Sequence, residues 1–271
     1  MTALLVKQRL PRAIAKHSQV KSRTAAKFSG AVTSYELHAN VQKRSANALF
    51  RQLNVQGAKV CLDLGAGPGV NLDKLKRHYD YVLPFDLSLG MLKQNNADKT
   101  AVCGDMDALP FQSESFDAVY SNFAVQWSAN LNRLFTELMR ILKPGGRVYL
   151  SCVCAGSLNE IITAFKTIDS QNHVNEFHSF EQTKQFIQHC GFIIENAELK
   201  CYQDTYPEPL HAMRSIKAIG ATNIHSQNKR QGLLTKSALK KVCDGYPLIA
   251  GQAIVSYHVG LFSLQKRAIT V

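Results

Sequence analysis

Residues 59–70, KVCLDLGAGPGV, constrain this chain more than any other stretch. An apolar strand runs straight into a turn with glycines at 65, 67 and 69. Glycine tolerates left-handed backbone and lets a ligand come close to main-chain atoms. A strand ending this way opens a mostly parallel sheet, whose ligands bind beyond the carboxyl ends of its strands. The dinucleotide fingerprint G-x-G-x-x-G needs a glycine at 70, where Val70 stands, and the phosphate loop G-x-x-x-x-G-K-[ST] is absent. The pattern here is D-x-G-x-G-x-G, with Asp63 two residues before Gly65. A carboxylate there repels pyrophosphate and suits a cationic amino-acid ligand.

The remaining chain extends that sheet. YVLPFD (81–86), TAVCGD (100–105), FDAVYSN (116–122) and RVYLSCVC (147–154) read as further short strands alternating with helical patterns, the mark of a doubly wound α/β fold. The segment 131–146 carries apolar residues at 131, 134, 135, 138, 141 and 142, a helical period ended by Pro-Gly-Gly. Helical stretches near 157–168 and 180–190 precede a strand at 192–202 and a last strand at 253–264. An amphipathic helix over 35–53 is one reading of the stretch before the first strand.

Two further acids fall at strand ends. Asp86 closes the second strand, where a carboxylate can accept both hydroxyls of a ribose. Asp105 closes the third, placed to accept from an adenine amino group with Met106 against the ring. A helix N-cap or surface turn would explain any one of these acids alone; it explains the set poorly.

Charge narrows the partners. The net charge is +12, and before Glu36 the chain has no acid but carries Lys7, Arg9, Arg12, Lys16, Lys21, Arg23 and Lys27. Such an arm suits nucleic acid, an anionic membrane, an acidic protein, a transit peptide or a solvated tail. We read residues 1–26 as a flexible basic extension and 27–271 as a single domain. The cysteines number seven, with no C-x-x-C pair, so reduced thiols in a cytoplasm are expected and a metal site is not. His173, His178, His189, His211, His225 and His258 show no ligand spacing. No apolar run is long enough to cross a membrane as a helix.

Taken in order, DLGAGPG, FDLS…ML, GDMDALPF, FDAVYSN and LKPGG resemble the successive motifs of class I S-adenosylmethionine-dependent methyltransferases over residues 58–155. The resemblance implies a Rossmann-like, seven-stranded sheet with an antiparallel last strand. It also implies a cofactor site in which Asp63, Gly65, Ala66, Gly67 and Gly69 cradle the methionine part. Asp86 and Leu87 would meet the ribose, Asp105 and Met106 the adenine, with Asn122 beside them.

The flanks KFSGAVTSYELHANVQ (27–42), SNFAVQWSANL (121–131), GSLNEI (156–161) and AMRSIKAIGATN (212–223) resemble the malonyl-acyl-carrier-protein O-methyltransferases of biotin synthesis, over residues 27–264. That family esterifies the free carboxyl of a malonyl thioester carried on an acidic acyl carrier protein. The resemblance implies an N-terminal helical arm and a helical lid at about 205–250. Arg214 would grip the non-attacking carboxylate oxygen, the thioester carbonyl or the carrier's phosphate. Lys217 would meet carrier acids or the phosphopantetheine phosphate. Tyr35 and His38 would fold over the cofactor, and Gln126 and Trp127 would wall the substrate pocket. No general base is expected, because an ordinary carboxyl is ionised at neutral pH. No stable nucleic-acid or membrane partner is expected, and the sequence gives no oligomeric state. Alternatives remain: a methyltransferase of quinones or other small metabolites, and an RNA-binding methyltransferase. Only Phe28 and Tyr35 interleave with the basic arm, which is thin stacking surface for RNA.

Overall fold

The computed structural model of the chain describes residues 12–31, 38–55, 57–94, 100–219, 221 and 234–268. Helices α1 (Arg12–Gly30) and α2 (Asn40–Phe50) precede the first strand. Five strands then run parallel: β1 (Val60–Leu64), β2 (Tyr81–Asp86), β3 (Val102–Cys103), β4 (Phe116–Asn122) and β5 (Leu142–Val153). The short helices α3 (Leu72–Leu75) and α4 (Leu89–Leu92) follow β1 and β2, and α5 (Leu131–Ile141) joins β4 to β5. Helices α6 (Asn159–Phe165) and α7 (Phe180–His189) lead to β6 (Ile193–Tyr206). Helices α8 (Pro209–Ala218) and α9 (Lys236–Asp244), with the two-residue β7 (Leu248–Ile249), lie between β6 and β8 (Gln252–Gln265).

The sheet order is β3-β2-β1-β4-β5-β8-β6, with β7 paired to β8 off that path. Strand β8 is antiparallel to both β5 and β6. The seven strands and antiparallel last strand expected from the sequence are therefore present, together with the small added β7. The chain winds outward from β1 to β3 in one direction and from β4 to β6 in the other. Between β1 and β4 the order reverses, and a crevice at the carboxyl ends of the strands opens there.

Apolar residues on the two faces of the sheet make two cores. One packs Leu49, Leu75, Tyr120, Ala164, Ala212 and Val242; the other packs Leu64, Leu134, Leu138, Ile187 and Phe262. Helix α5 shows why the pattern folds. Asn130 caps it by accepting the Arg133 N–H at 3.1 Å. Its stripe of Leu131, Leu134, Phe135, Leu138 and Ile141 is buried, each residue contributing about 1.5–3 kcal/mol relative to exposure. Ser179 and Gln182 form a capping box at the start of α7.

Three boundaries differ from the sequence reading. Strand β5 begins at Leu142, so Pro-Gly-Gly lies inside its irregular entry, where register shifts between Phe116 and Ala118 and the missing proline N–H is tolerated. Strand β3 is reduced to Val102–Cys103. The boundary drawn at residue 26 falls within α1, where Thr24 is buried and Lys21 is ion-paired while Ser22, Arg23 and Ala26 face solvent. Among the described residues no helix is long and apolar enough to cross a membrane.

Candidate active site

The carboxyl ends of β1, β2 and β4 carry the first part of the site. At Gly65 the backbone turns with φ +75° while its N–H donates to the Phe85 carbonyl at 2.7 Å. A Cβ at this position would lie 2.2 Å from that of Ala124, so the close crossing of the β1 and β4 ends admits only glycine. The Gly67 N–H donates to Asp86 Oδ2 at 2.9 Å, and the Ser88 N–H to Asp86 Oδ1 at 2.7 Å. These bonds lower the Asp86 pKa, but burial raises it further, so the net direction is up.

Asp63 is the most perturbed acid of the group. It is 2% exposed, and its Oδ2 is buried with no hydrogen-bond partner. Burial, then the nearby charge of Asp86, push its carboxyl up to about 7. A buried, unpartnered carboxylate oxygen is costly unless something cationic meets it.

A cavity of about 70 Å³ opens against this turn. Of the expected cofactor residues, Gly65, Gly67, Asp86, Leu87, Asp105, Met106 and Asn122 line it. Asp63, Ala66 and Gly69 do not reach its wall, though Gly69 shapes the turn with φ +83°. Asn122 is fixed on both sides: its amide donates to the Gln42 carbonyl at 3.1 Å and its oxygen accepts from Ser151 Oγ at 2.8 Å. Sequence reasoning missed Lys21, Thr24 and Phe28, which α1 contributes to the same cavity. The burial of Thr24 and Ala31 and the partial burial of Phe28 form a helical stripe, a signal hidden under the arm's charge. Asp105 is also engaged differently than expected: Lys21 Nζ donates to Asp105 at 2.5 and 2.7 Å.

A second cavity, about 180 Å³, adjoins the first and shares Phe28, Phe123 and Trp127 with it. Its other walls are mainly apolar, with Leu158, Ile161 and Phe165 on one side and Met213, Ile216 and Ile219 on another. Trp127 meets Phe28 edge-to-face at 5.2 Å. Gln126 also lines this cavity; its amide donates to the Phe123 carbonyl at 2.8 Å, leaving Oε1 buried without a partner. Gln126 and Trp127 thus both lie on the wall of the apolar cavity.

Arg214 and Lys217 do not. Both are exposed, and neither lines either cavity. Helix α8 turns Met213 and Ile216 inward instead, because its apolar stripe packs on the sheet core. A grip by Arg214 inside the pocket is thus not formed in this structure. Tyr35 lies outside the described residues, and His38 is exposed. Among the described residues no group of three or more His, Cys, Asp and Glu side chains could hold a metal ion.

The residues fit S-adenosylmethionine. The buried, unpartnered charge of Asp63 lies behind the glycine turn and suits a cationic ammonium on its far side, and Asp86 and Asp105, which line the cavity, retain acceptor capacity toward the ribose and adenine. The fold has known counterparts. The YcgJ protein of Bacillus subtilis aligns with a TM-score of 0.57 at 14% identity, covering 83% of this chain and 99% of that one. An S-adenosylmethionine-dependent methyltransferase from Mesorhizobium loti aligns at 0.50 and 21% identity, over 81% and 96%.

In sequence, the family described as "Methyltransferase domain" matches residues 62–150. The malonyl-[acyl-carrier protein] O-methyltransferase of Erwinia billingiae is 36% identical over 246 residues, 88% of this chain and 95% of that protein. Its namesake in Salmonella typhimurium is 33% identical over 91% and 98%. The biotin biosynthesis bifunctional protein BioHC of Saccharophagus degradans is 32% identical over 91% of this chain and 47% of its own length. Shared identity across nearly the full length, on a class I methyltransferase fold with an intact cofactor turn, places this chain in the family of malonyl-[acyl-carrier protein] O-methyltransferases.

Proposed function

We propose that this enzyme methylates the free carboxyl of a malonyl thioester held on an acyl carrier protein, an early step of biotin synthesis in the cytoplasm. One observation carries the reading: a cavity with glycine and carboxylate walls meets an apolar cavity across the single partition of Phe28, Phe123 and Trp127. Bound S-adenosylmethionine supplies an electrophilic methyl on a sulfonium.

The chain's residues then have three tasks. Asp63, Asp86 and Asp105 would hold the donor by its ammonium, ribose and adenine. The apolar walls strip water from the incoming carboxylate, and Phe123, Gln126 and Trp127 orient it. No proton need be moved, because the nucleophile is already ionised at neutral pH. With the donor bound, the carboxylate's charge would be neutralised on transfer, so the site need not supply a countercharge of its own. A strong cation on the attacking oxygen would favour the ground state over the transition state. An apolar cavity with no lysine or arginine on its wall among the described residues suits that requirement, and orientation in such a site supplies roughly 7–11 kcal/mol in favourable cases.

Arg214 and Lys217 then act outside the pocket, meeting the acidic carrier face or the phosphate of its arm; their exposure on α8, above Met213 and Ile216, supports this. Exposed cations of this kind speed encounter more than they deepen binding.

The test offers radiolabelled S-adenosylmethionine with malonyl carrier protein, malonyl coenzyme A, a quinone precursor and bulk RNA. Base-labile label on the malonyl carrier is expected. Arg214→Ala with Lys217→Ala should raise the KM for the carrier about three- to tenfold while the protein melts normally. Label on the quinone or the RNA alone would overturn the assignment.

A further inference from the structure

Helix α1 is fastened at three points around the two cavities. Lys21 Nζ bridges Asp105 (2.5 and 2.7 Å) and Asp107 Oδ2 (2.7 Å). Ser29 Oγ hydrogen-bonds Ser88 Oγ at 2.8 Å, beside Gly90, where a Cβ would sit 2.6 Å from the Ser29 oxygen. Phe28 packs on Trp127. The Lys21 side chain is only 19% exposed and Asp107 only 6%. Lys21 is the one cation on the cofactor cavity's wall among the described residues.

Asp107 reaches further. It accepts from Ser128 Oγ at 2.5 Å and from the Ala129 N–H at 2.9 Å, directly after Trp127. Its own N–H donates to Asp105 Oδ1 at 3.0 Å. One ammonium therefore joins the acid placed for adenine, the loop carrying the partition and the helix that walls the cavity. With that helix in place, residues Lys21, Thr24, Ala25 and Phe28 close one side of the donor site.

We propose that Lys21 is a positioning residue for the cofactor: its ammonium latches α1 over the donor cavity through Asp105 and Asp107, and donor and product exchange by release of that latch. The two carboxylates would repel each other and loosen the adenine end without the shared cation. Because Asp107 also seats the loop of Trp127, latching sets the partition between the cavities. The donor therefore has to be enclosed before the substrate cavity takes its final shape, and cofactor-first binding follows.

Trp127 is the single tryptophan, so its emission reports the partition directly. The experiment uses the full-length protein loaded with S-adenosylhomocysteine, displaced by excess S-adenosylmethionine in a stopped flow. Trp127 emission is followed at about 50 mM and about 0.5 M NaCl, salt concentrations that span strong and weak screening. For the wild type, dissociation should quicken several-fold with salt. Lys21→Met should release product about tenfold faster at low salt and lose the salt response, whereas Lys21→Arg should keep most of both. A helix that merely packs would change the melting temperature and leave the salt response in place. Rates for Lys21→Met within twofold of wild type, at both salt levels, would overturn the latch. Should Lys21→Met fail to fold, a wild-type off-rate indifferent to salt would overturn it equally.

Discussion

Asp63→Asn separates what this residue costs the fold from what it does for the cofactor. In the folded, cofactor-free chain the Asp63 carboxyl is pushed from 3.8 up to about 7, chiefly by burial. Below pH 4 the folded and unfolded chains both hold the proton and no stability is at stake. Between pH 4 and 7 the unfolded chain ionises while the fold keeps its proton. Stability is lost there at about 1.36 kcal/mol per unit, and the loss levels off above 7 at roughly 4 kcal/mol.

Asparagine does not titrate, but it buries an amide with an unmet group, at a cost of about 1–3 kcal/mol. The variant should therefore match the wild type or fall slightly below it at pH 5, where the wild type has lost only about 1–2 kcal/mol. At pH 8 it should be the more stable by about 1–3 kcal/mol. At roughly 2–4 °C per kcal/mol, the melting gap should swing by about 5–10 °C in the variant's favour between those pH values. Differential scanning fluorimetry of the two cofactor-free proteins from pH 5 to 8 measures this. Calorimetric titration of the same proteins should show S-adenosylmethionine bound at least about a hundredfold more weakly by the variant. Wild-type affinity should fall about tenfold per unit below pH 7, as Asp63 takes up a proton and no longer pairs with the ammonium. A melting gap that stays constant across pH would refute the reasoning.

Two further outcomes follow from the geometry. Gly65→Ala places a methyl 2.2 Å from Ala124 on left-handed backbone, so the turn must shift; cofactor binding should be lost and stability should fall by about 1–3 kcal/mol, measured by the same titration and melt. Ile216→Arg puts a cation on the wall of the apolar cavity; the donor's affinity should hold within about threefold while methyl transfer falls about a hundredfold or more, measured by isothermal titration and by label transfer.

The parallel half of the sheet was legible because each element there is specified locally. The glycine turn after Leu64, the acids at strand ends and the apolar period of residues 131–142 do not depend on distant partners. Helix α1 was not legible, because the group that fixes Lys21 lies 84 residues away at Asp105, and a run of cations reads equally well as a solvated tail. At α8 both pairs were visible, Arg214 with Lys217 and Met213 with Ile216, each at helical spacing. Spacing alone does not choose between them; the hydrophobic drive to pack on the sheet decided which pair faces inward. Gln126 and Trp127 line the apolar cavity because a residue just beyond a central strand of this topology has little choice but to face the crevice.

The position of β8 bears on how the chain is made. This strand sits between β5 and β6, and its Val259 pairs with Val153, about a hundred residues earlier, a separation that slows folding. During synthesis the long edge of β5 is translated well before the strand that covers it, and β6 likewise waits for its neighbour. Until β8 leaves the ribosome both edges present unpaired backbone, the kind of surface that recruits other strands. A pause in translation within the region between α8 and β8 would prolong that exposure, whereas one upstream of β5 would not.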